Sequence, residues 1–387
     1  MTAVESRMVK AGSHKYYVFF VVLSLVLYIF GHSTEYGTLP FPDKLFYVPC
    51  SLSLVLAALN KDYWTFMRAD RYFIVFYLLS FFYSAIFIRL DPEDMIACAI
   101  GFLAFRYLSR TQLRDVLGLL AVFAPVIIAI HYISSNPLSL SVGYRYSGYQ
   151  GDPNCFSYAM NILLYACGFT IIYGKNKVLK VLSFFSVIGI VPLIMAAASR
   201  TGIAIMAVVL IYILFAVYRK KKFLSFLIVV LLVVYGELLM PRLDSQIQTI
   251  SNRYEVIFEN GSDYRMEEFK IVPSLLLAHP EYMLFGIGYS QSINAHQKFD
   301  EYYHEGRAHN TYMSVLLEQG VVGFVLFLLF LFNIGKIVFK NRCFVDGNYR
   351  MILYLIVLFF IFSIYSLSFL PFWFSVYVAS NQYDIAS

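Results

Sequence analysis

Apolar residues come in blocks of about twenty, separated by short polar or basic segments. A helix needs roughly 20 apolar residues to cross a hydrocarbon layer ~30 Å thick. Blocks near 16–31, 44–59, 72–88, 94–107, 115–134, 155–173, 178–197, 201–218, 223–240, 310–335 and 351–368 fit that length. A further apolar stretch at 369–379, broken by Pro371, reads as a short twelfth span or an interfacial segment. The expected fold is an all-α polytopic membrane protein with about 11–12 transmembrane helices. Helices 1–9 occupy residues 1–240, a long polar loop 241–308, and the C-terminal helices 309–387. Residues 16–31 lack a small-residue cleavage site and read as a retained first span.

The polar segments are of two kinds. "YRMEEFKIVPSLLLA" inside the long loop spaces Met266, Phe269, Ile271 or Val272, and Leu275–Leu276 as an amphipathic helix that can lie on the membrane or on the bundle. "LFGIGYS" follows, where Gly286 and Gly288 allow a tight turn. "GDPN", residues 151–154, reads as a turn with Pro153 in its second position.

Composition agrees with this pattern. The 387 residues are 60% hydrophobic and 14% charged, against about 25% charged in soluble domains. The charge of +6 has a topological cause. Alternate segments, at 5–15, 61–71, 106–115, 175–180, 219–222 and 336–350, hold 20 of the 30 Lys and Arg and only five of the 24 Asp and Glu. The positive-inside rule makes them cytoplasmic, with the N-terminus inside. Basicity is thus no sign of nucleic acid. On the acidic outer side, Arg145, Arg200 and Arg265 run against the trend, which favours a chemical reason for each. The five cysteines fall in or beside spans or in a basic loop and give neither a disulfide framework nor a zinc set.

Several outer residues can carry chemistry. Asn310 can cap the helix that follows it, and His309 then meets the positive end of that helix, which favours the neutral imidazole a general base needs. The bland alternative is a polar interface residue. Arg200, in the short turn of "AAASRTGIAIM", is either a snorkelling anchor or a bidentate anion ligand. Arg265 opens the loop helix and can instead pair with Glu267 or Glu268. Arg145 sits among Tyr144, Tyr146 and Tyr149, which can line a sugar site or simply belong to the interface. "DPED", residues 91–94, is a solvated turn or a cation site. His279, His296, His304 and His309 match no helical metal spacing. Carboxylates deep in spans are missing from the pattern, Glu237 and Glu318 being placed near outer helix ends.

"SRTGIAI", then a long outer loop with "YRMEEFKIVPSLLLAHPEYMLFGIGYS", then "HNTYMSVLLEQGVVGF", preceded by "GDPNCFSYAM", together resemble the O-antigen polymerase (Wzy) and O-antigen ligase (WaaL) superfamily of bacterial inner-membrane glycosyltransferases. The resemblance covers roughly residues 145–330. It implies a periplasm-facing site and an undecaprenyl-diphosphate-linked oligosaccharide donor. Arg200 and Arg265, and less securely Arg145, would bind the diphosphate. His309 would activate the acceptor hydroxyl, and Tyr144, Tyr146, Asn154 and Asn310 would contact glycan. It implies no cofactor and no metal, inversion at the anomeric carbon, and a chain-length regulator as a conceivable partner. The acceptor is another lipid-linked repeat unit in a polymerase and lipid A core in a ligase. The abundance of Phe (37) and Tyr (32) and the loose form of the outer motifs lean toward polymerase. A lipid-oligosaccharide transporter and a metal-dependent transferase using "DPED" remain as alternatives.

Overall fold

A computed structural model describes residues 3–30, 45–59, 67–87, 92–106, 108, 110–135, 137, 141–148, 152–220, parts of 222–255, then 264–299, 310–343 and 346–380. These residues form helices and connecting turns, with no strand among them. The helices are α1 (Ala3–Phe30), α2 (Tyr47–Ala58), α3 (Arg68–Phe87), α4 (Pro92–Phe105), α5 (Arg110–Ser135), α6 (Pro153–Tyr173), α7 (Lys177–Ala196), α8 (Arg200–Lys220), α9 (Tyr264–Ala278), α10 (Thr311–Lys340), α11 (Gly347–Ile361) and α12 (Leu370–Ser380). Six of these (α3, α5, α6, α7, α8 and α10) are long and apolar enough to cross a membrane, and shorter apolar helices accompany them. The protein is an all-α polytopic membrane protein. Most of the expected span at 223–240 lies outside the described residues.

The chain divides into two units, residues 1–53 with 109–256, and residues 54–108 with 257–387. In the first, α6 is the central helix and packs on α5, α7 and α8. Its apolar residues surround it on all sides, so it is buried all round. At one end of this unit, Lys220 Nζ donates to the Ile172 carbonyl at 3.0 Å and lies over the Tyr173 ring. The basic residues therefore gather at the ends of α6 and α8, and the candidate residues Arg145, Asn154 and Arg200 stand at or beside their starts.

In the second unit α10 packs on α3, α4 on α12, and α11 on both α10 and α12. Trp373 fills its centre, 4.6 Å from the Phe73 ring and 5.7 Å from the Phe102 ring. Gly101 makes room for the indole: a Cβ there would lie 2.3 Å from Trp373 Cδ1. The residues of α12 are buried throughout, and Pro371 stands in its first turn. The stretch 369–379 is thus a core helix that proline opens, rather than an interfacial segment that proline breaks. A proline costs little there because a first-turn N–H has no helical acceptor.

One expectation about the outer helices changes. The expected span at 310–335 is a longer helix, α10, with a break at Gly320 (φ 63°, ψ −167°). An unbroken helix would pair the N–H groups of Val321 and Val322 with the carbonyls of Leu317 and Glu318. Instead Ile287 and Gly288 donate to Leu317 O and Glu318 O at 3.0 and 2.9 Å, while Val321 and Val322 donate to Met283 O and Leu284 O at 2.9 and 3.2 Å. The two glycines permit this crossing: a Cβ on Gly286 or Gly320 would fall within about 2.3–2.4 Å of the other segment's backbone. The loop is folded upon this crossing. Val272, Leu275 and Leu276 of α9 form a core with Ile287, Ala295, Phe299, Met313 and Leu317.

Two buried carboxylates stand near helix ends, Asp70 in the first turn of α3 and Glu318 two residues before the break in α10, so neither lies deep within a span. Asp70 of α3 accepts from Tyr377 Oη at 2.9 Å and from the Met67 N–H, with Arg106 Nε 3.5 Å away. Glu318 of α10 accepts from the N–H and Oγ of Ser292, at 3.2 and 2.5 Å, and from Tyr365 Oη at 3.4 Å. Both are held by donors, as buried charges must be. Both therefore read as structural ties.

Candidate functional site

The site of the first unit is built where α6 and α8 begin. These helices run the same way, because α7 returns the chain between them. Asp152 is the N-cap of α6, its carboxylate accepting from the N–H groups of Asn154 and Cys155 at 2.6 and 3.0 Å. Pro153 occupies the first turn. "GDPN" is therefore a helix cap and start, a correction to the free turn expected from its composition.

α7 ends and α8 begins within the tight turn Ala197–Ala198–Ser199. Ala198 has φ 45°, an uncommon region for a residue with a Cβ. All three residues are buried. Ser199 Oγ accepts from the Gly202 N–H at 3.3 Å, which makes it the neutral N-cap of α8. Arg200 is the first helical residue, half-buried, and the first turn holds no acid.

Arg145 ties these ends together. Its Nε donates to Ala197 O at 3.1 Å and its Nη2 to Asn154 Oδ1 at 3.1 Å. Ser199 Oγ donates to the same Asn154 oxygen at 2.9 Å. The Tyr146 N–H donates to Ala196 O at 2.9 Å. The carbonyls at the end of α7, which have no acceptor role left inside the helix, are thus satisfied by the Arg145–Tyr146 segment. Arg145, Asn154, Ser199 and the start of α8 form one connected polar cluster, and Arg200 directly follows it.

The two tyrosines expected to line a sugar site differ. Tyr144 is 67% exposed. Tyr146 is 6% exposed, its hydroxyl 2.8 Å from His131 Nδ1 and its ring packed edge-on against His131 and Phe156. Tyr146 therefore supports the 145–146 segment from within, and glycan cannot reach its ring in this structure. Asn154 is similarly occupied, since its side-chain oxygen already accepts twice. Sequence reasoning missed Ser199 and His131. A serine just before the helical run of α8 is a capping signal, whereas nothing local marks His131.

In the second unit, Asn310 is the N-cap of α10, as expected. Its Oδ1 accepts from the N–H groups of Tyr312 and Met313 at 3.0 and 3.4 Å. Thr311 is fixed beneath it, 3.0 Å from Ser366 Oγ and donating to Ile364 O. Arg265 is in the first turn of α9, and its side chain lies outside the described residues, as do His309 and Tyr149. Of the "DPED" segment, Glu93 and Asp94 belong to the first turn of α4, and Asp94 accepts from Ser290 Oγ. That carboxylate ties the loop to α4. Among the described residues no group of three or more His, Cys, Asp and Glu could hold a metal ion.

Residues 185–328 match the family model described as O-antigen ligase. No curated protein matches the chain. The matched region includes Ser199, Arg200, Arg265, Glu318 and Gly320, and it stops short of Arg145 and Asn154. Over residues 185–328 the chain is thus similar to the O-antigen ligase family, in line with the resemblance carried by its motifs.

Proposed function

We propose that the protein transfers a glycan from undecaprenyl diphosphate to another lipid-linked repeat unit at the outer face of the bacterial inner membrane. One observation carries the reading: a cation, Arg200, opens a helix that has a neutral cap and no first-turn acid. A positive residue at the positive end of a helix dipole costs about 0.3–1 kcal/mol. An anion bound there reverses that cost, because helix starts and guanidinium groups both favour phosphate.

In this reading Arg200 and Arg265 hold the diphosphate. Arg145, already bonded to Ala197 and Asn154, adds charge and fixes the start of α8. The acceptor hydroxyl attacks the anomeric carbon from the side opposite the diphosphate, and the glycosidic C–O bond breaks. The electron pair leaves with the diphosphate, where the growing charge meets the arginines. Charge stabilised more in the transition state than in the ground state lowers the barrier. His309 takes the hydroxyl proton. In the sequence it directly precedes Asn310, the cap of α10, and it acts as the general base. Tyr144 contacts sugar, Tyr146 and Asn154 act by holding Arg145, and Asn310, fully buried with its Oδ1 already accepting twice, acts as the cap of α10 rather than on glycan as expected.

Similarity to the O-antigen ligase family over residues 185–328 supports a second reading, transfer to lipid A core by the same chemistry. One assay separates the two. Purified protein is given lipid-linked repeat units in chelator, with or without lipid A core, and products are followed on gels. Elongation from repeat units alone supports polymerase, and transfer only to core supports ligase. His309→Ala is expected to lose roughly 10²–10⁴ in rate, the share of a positioned base, with no rescue by Gln. Normal elongation by His309→Gln removes the base from the mechanism, and dependence on added metal removes the metal-free scheme.

A further inference from the structure

The loop of the second unit carries apolar side chains that its own core does not use. Leu284 is 57% exposed and Phe285 41% exposed, immediately beside the crossing with α10. Phe285 packs on Tyr83 (centroids 5.5 Å), and Tyr83 packs on Phe87, which is 72% exposed (5.5 Å). Tyr83 Oη also donates to Gly286 O at 3.1 Å. The patch thus continues onto the end of α3 remote from Arg68 and Arg71.

That end of α3 is the end of a stripe. Val75, Leu78, Leu79, Phe82 and Ile86 are all exposed, at the spacing of one helix face. On α10, which packs against α3, Val321, Val325, Leu328 and Phe332 form a second exposed apolar stripe. In membrane helices such stripes face lipid. The α10 stripe begins at Val321, whose N–H is bonded to Met283 O. Leu284 and Phe285 therefore stand where two lipid-facing stripes meet.

Length gives the same level independently. The 30 residues of α10 would span ~45 Å, far more than a ~30 Å hydrocarbon core. The 20 residues from Val321 to Lys340 span ~30 Å. Before the break, Thr311–Gln319 are mostly buried in the loop core and include Glu318 and Gln319.

We propose that Gly320 marks the outer edge of the hydrocarbon layer, and that Leu284 and Phe285 insert into the outer leaflet at that level. The loop is thereby a membrane-interface anchor, its partner the lipid itself, and the first ten residues of α10 stand above the bilayer. Aromatic and aliphatic side chains joined to a polar framework suit that interface. Anchoring the crossing would fix the height of the α10 start over the membrane.

The test uses full-length protein in liposomes, with single nitroxide labels at Leu284→Cys and Phe285→Cys. Glu281→Cys is the aqueous reference, Phe332→Cys the deep reference, and the parent chain the labelling blank. Power saturation compares access of oxygen with access of a nickel chelate. Labels at 284 and 285 are expected to favour oxygen over nickel, to a degree between the two references. Nickel access equal to that at 281 overturns the proposal by placing the patch in water. Low access of both reagents overturns it by placing the patch against protein, such as a second copy. The outcome does not depend on catalysis, so it stands or falls apart from the proposed reaction.

Discussion

The starts of α6 and α8 lie side by side and share Asn154, yet they are finished differently. α6 is closed by Asp152, whose carboxylate accepts two N–H groups and places a negative charge on the positive end of the helix. α8 is closed by neutral Ser199 and then adds the cation Arg200. The first arrangement favours the helix itself. The second works against it and favours an anion from outside. Two neighbouring helix ends thus differ in what they leave for a ligand: α6 carries an acid as its cap, whereas α8 carries a cation as its first residue. The tight turn at Ala198 reinforces the contrast, because backbone in a sparsely populated region persists only where its surroundings hold it.

Removing the cation should break the comparison most. Arg200→Ala is expected to lose about 2–4 kcal/mol of transition-state stabilisation, roughly 30- to 1,000-fold in rate, with membrane insertion unchanged. Arg200→Lys should recover little, since an ammonium lacks the planar fork. Turnover of lipid-linked donor by purified variants checks this, and near-normal turnover in Arg200→Ala would exclude Arg200 from the reaction.

Making α8 resemble α6 sharpens the contrast, because helix and function should respond with opposite signs. Thr201→Asp puts a carboxylate in the first turn of α8. The helix start should gain about 0.3–1 kcal/mol, while donor affinity falls roughly fivefold through like-charge repulsion on the order of 1 kcal/mol. Thermal unfolding and donor titration of the same preparation read the two effects. A loss of both stability and affinity would indicate local damage instead.

The smallest effect belongs to α6. Asp152→Asn keeps a good cap and removes its charge, so stability should fall by about 0.3–1 kcal/mol. Donor affinity should hold or rise slightly, as one negative charge leaves the neighbourhood. A large loss of donor affinity would mean that the start of α6 takes part directly.

Much of this arrangement was legible in the sequence, and the exceptions have physical causes. Runs of about twenty apolar residues gave the long helices, and the periodicity of Phe269, Val272, Leu275 and Leu276 gave α9. The cap at Asn310 followed from its place before an apolar run. The break at Gly320 was hidden because a glycine inside such a run looks like any span residue. The break depends on Gly286, and that pairing is set by tertiary contact. The separate fates of Tyr144 and Tyr146 were hidden for a like reason: His131 and Phe156, from two other helices, decide which ring is buried. Glu318 and Asp70 looked peripheral by position, yet their donors Ser292, Tyr365 and Tyr377 come from elsewhere in the chain. Arg145 stood out by its sign on an acidic face, but its bonds to Ala197 and Asn154 could not be read from spacing.

The central claim is that the donor diphosphate binds at the start of α8. The most direct measurement is equilibrium binding of undecaprenyl-diphosphate-linked oligosaccharide to protein in lipid nanodiscs, without acceptor. Wild type, Arg200→Ala and Asp152→Asn are compared. The account predicts that Arg200→Ala weakens binding at least tenfold, since a charge-assisted bidentate contact is worth about 1.5–3 kcal/mol, and that Asp152→Asn binds as wild type does. Equal affinity of wild type and Arg200→Ala would contradict it.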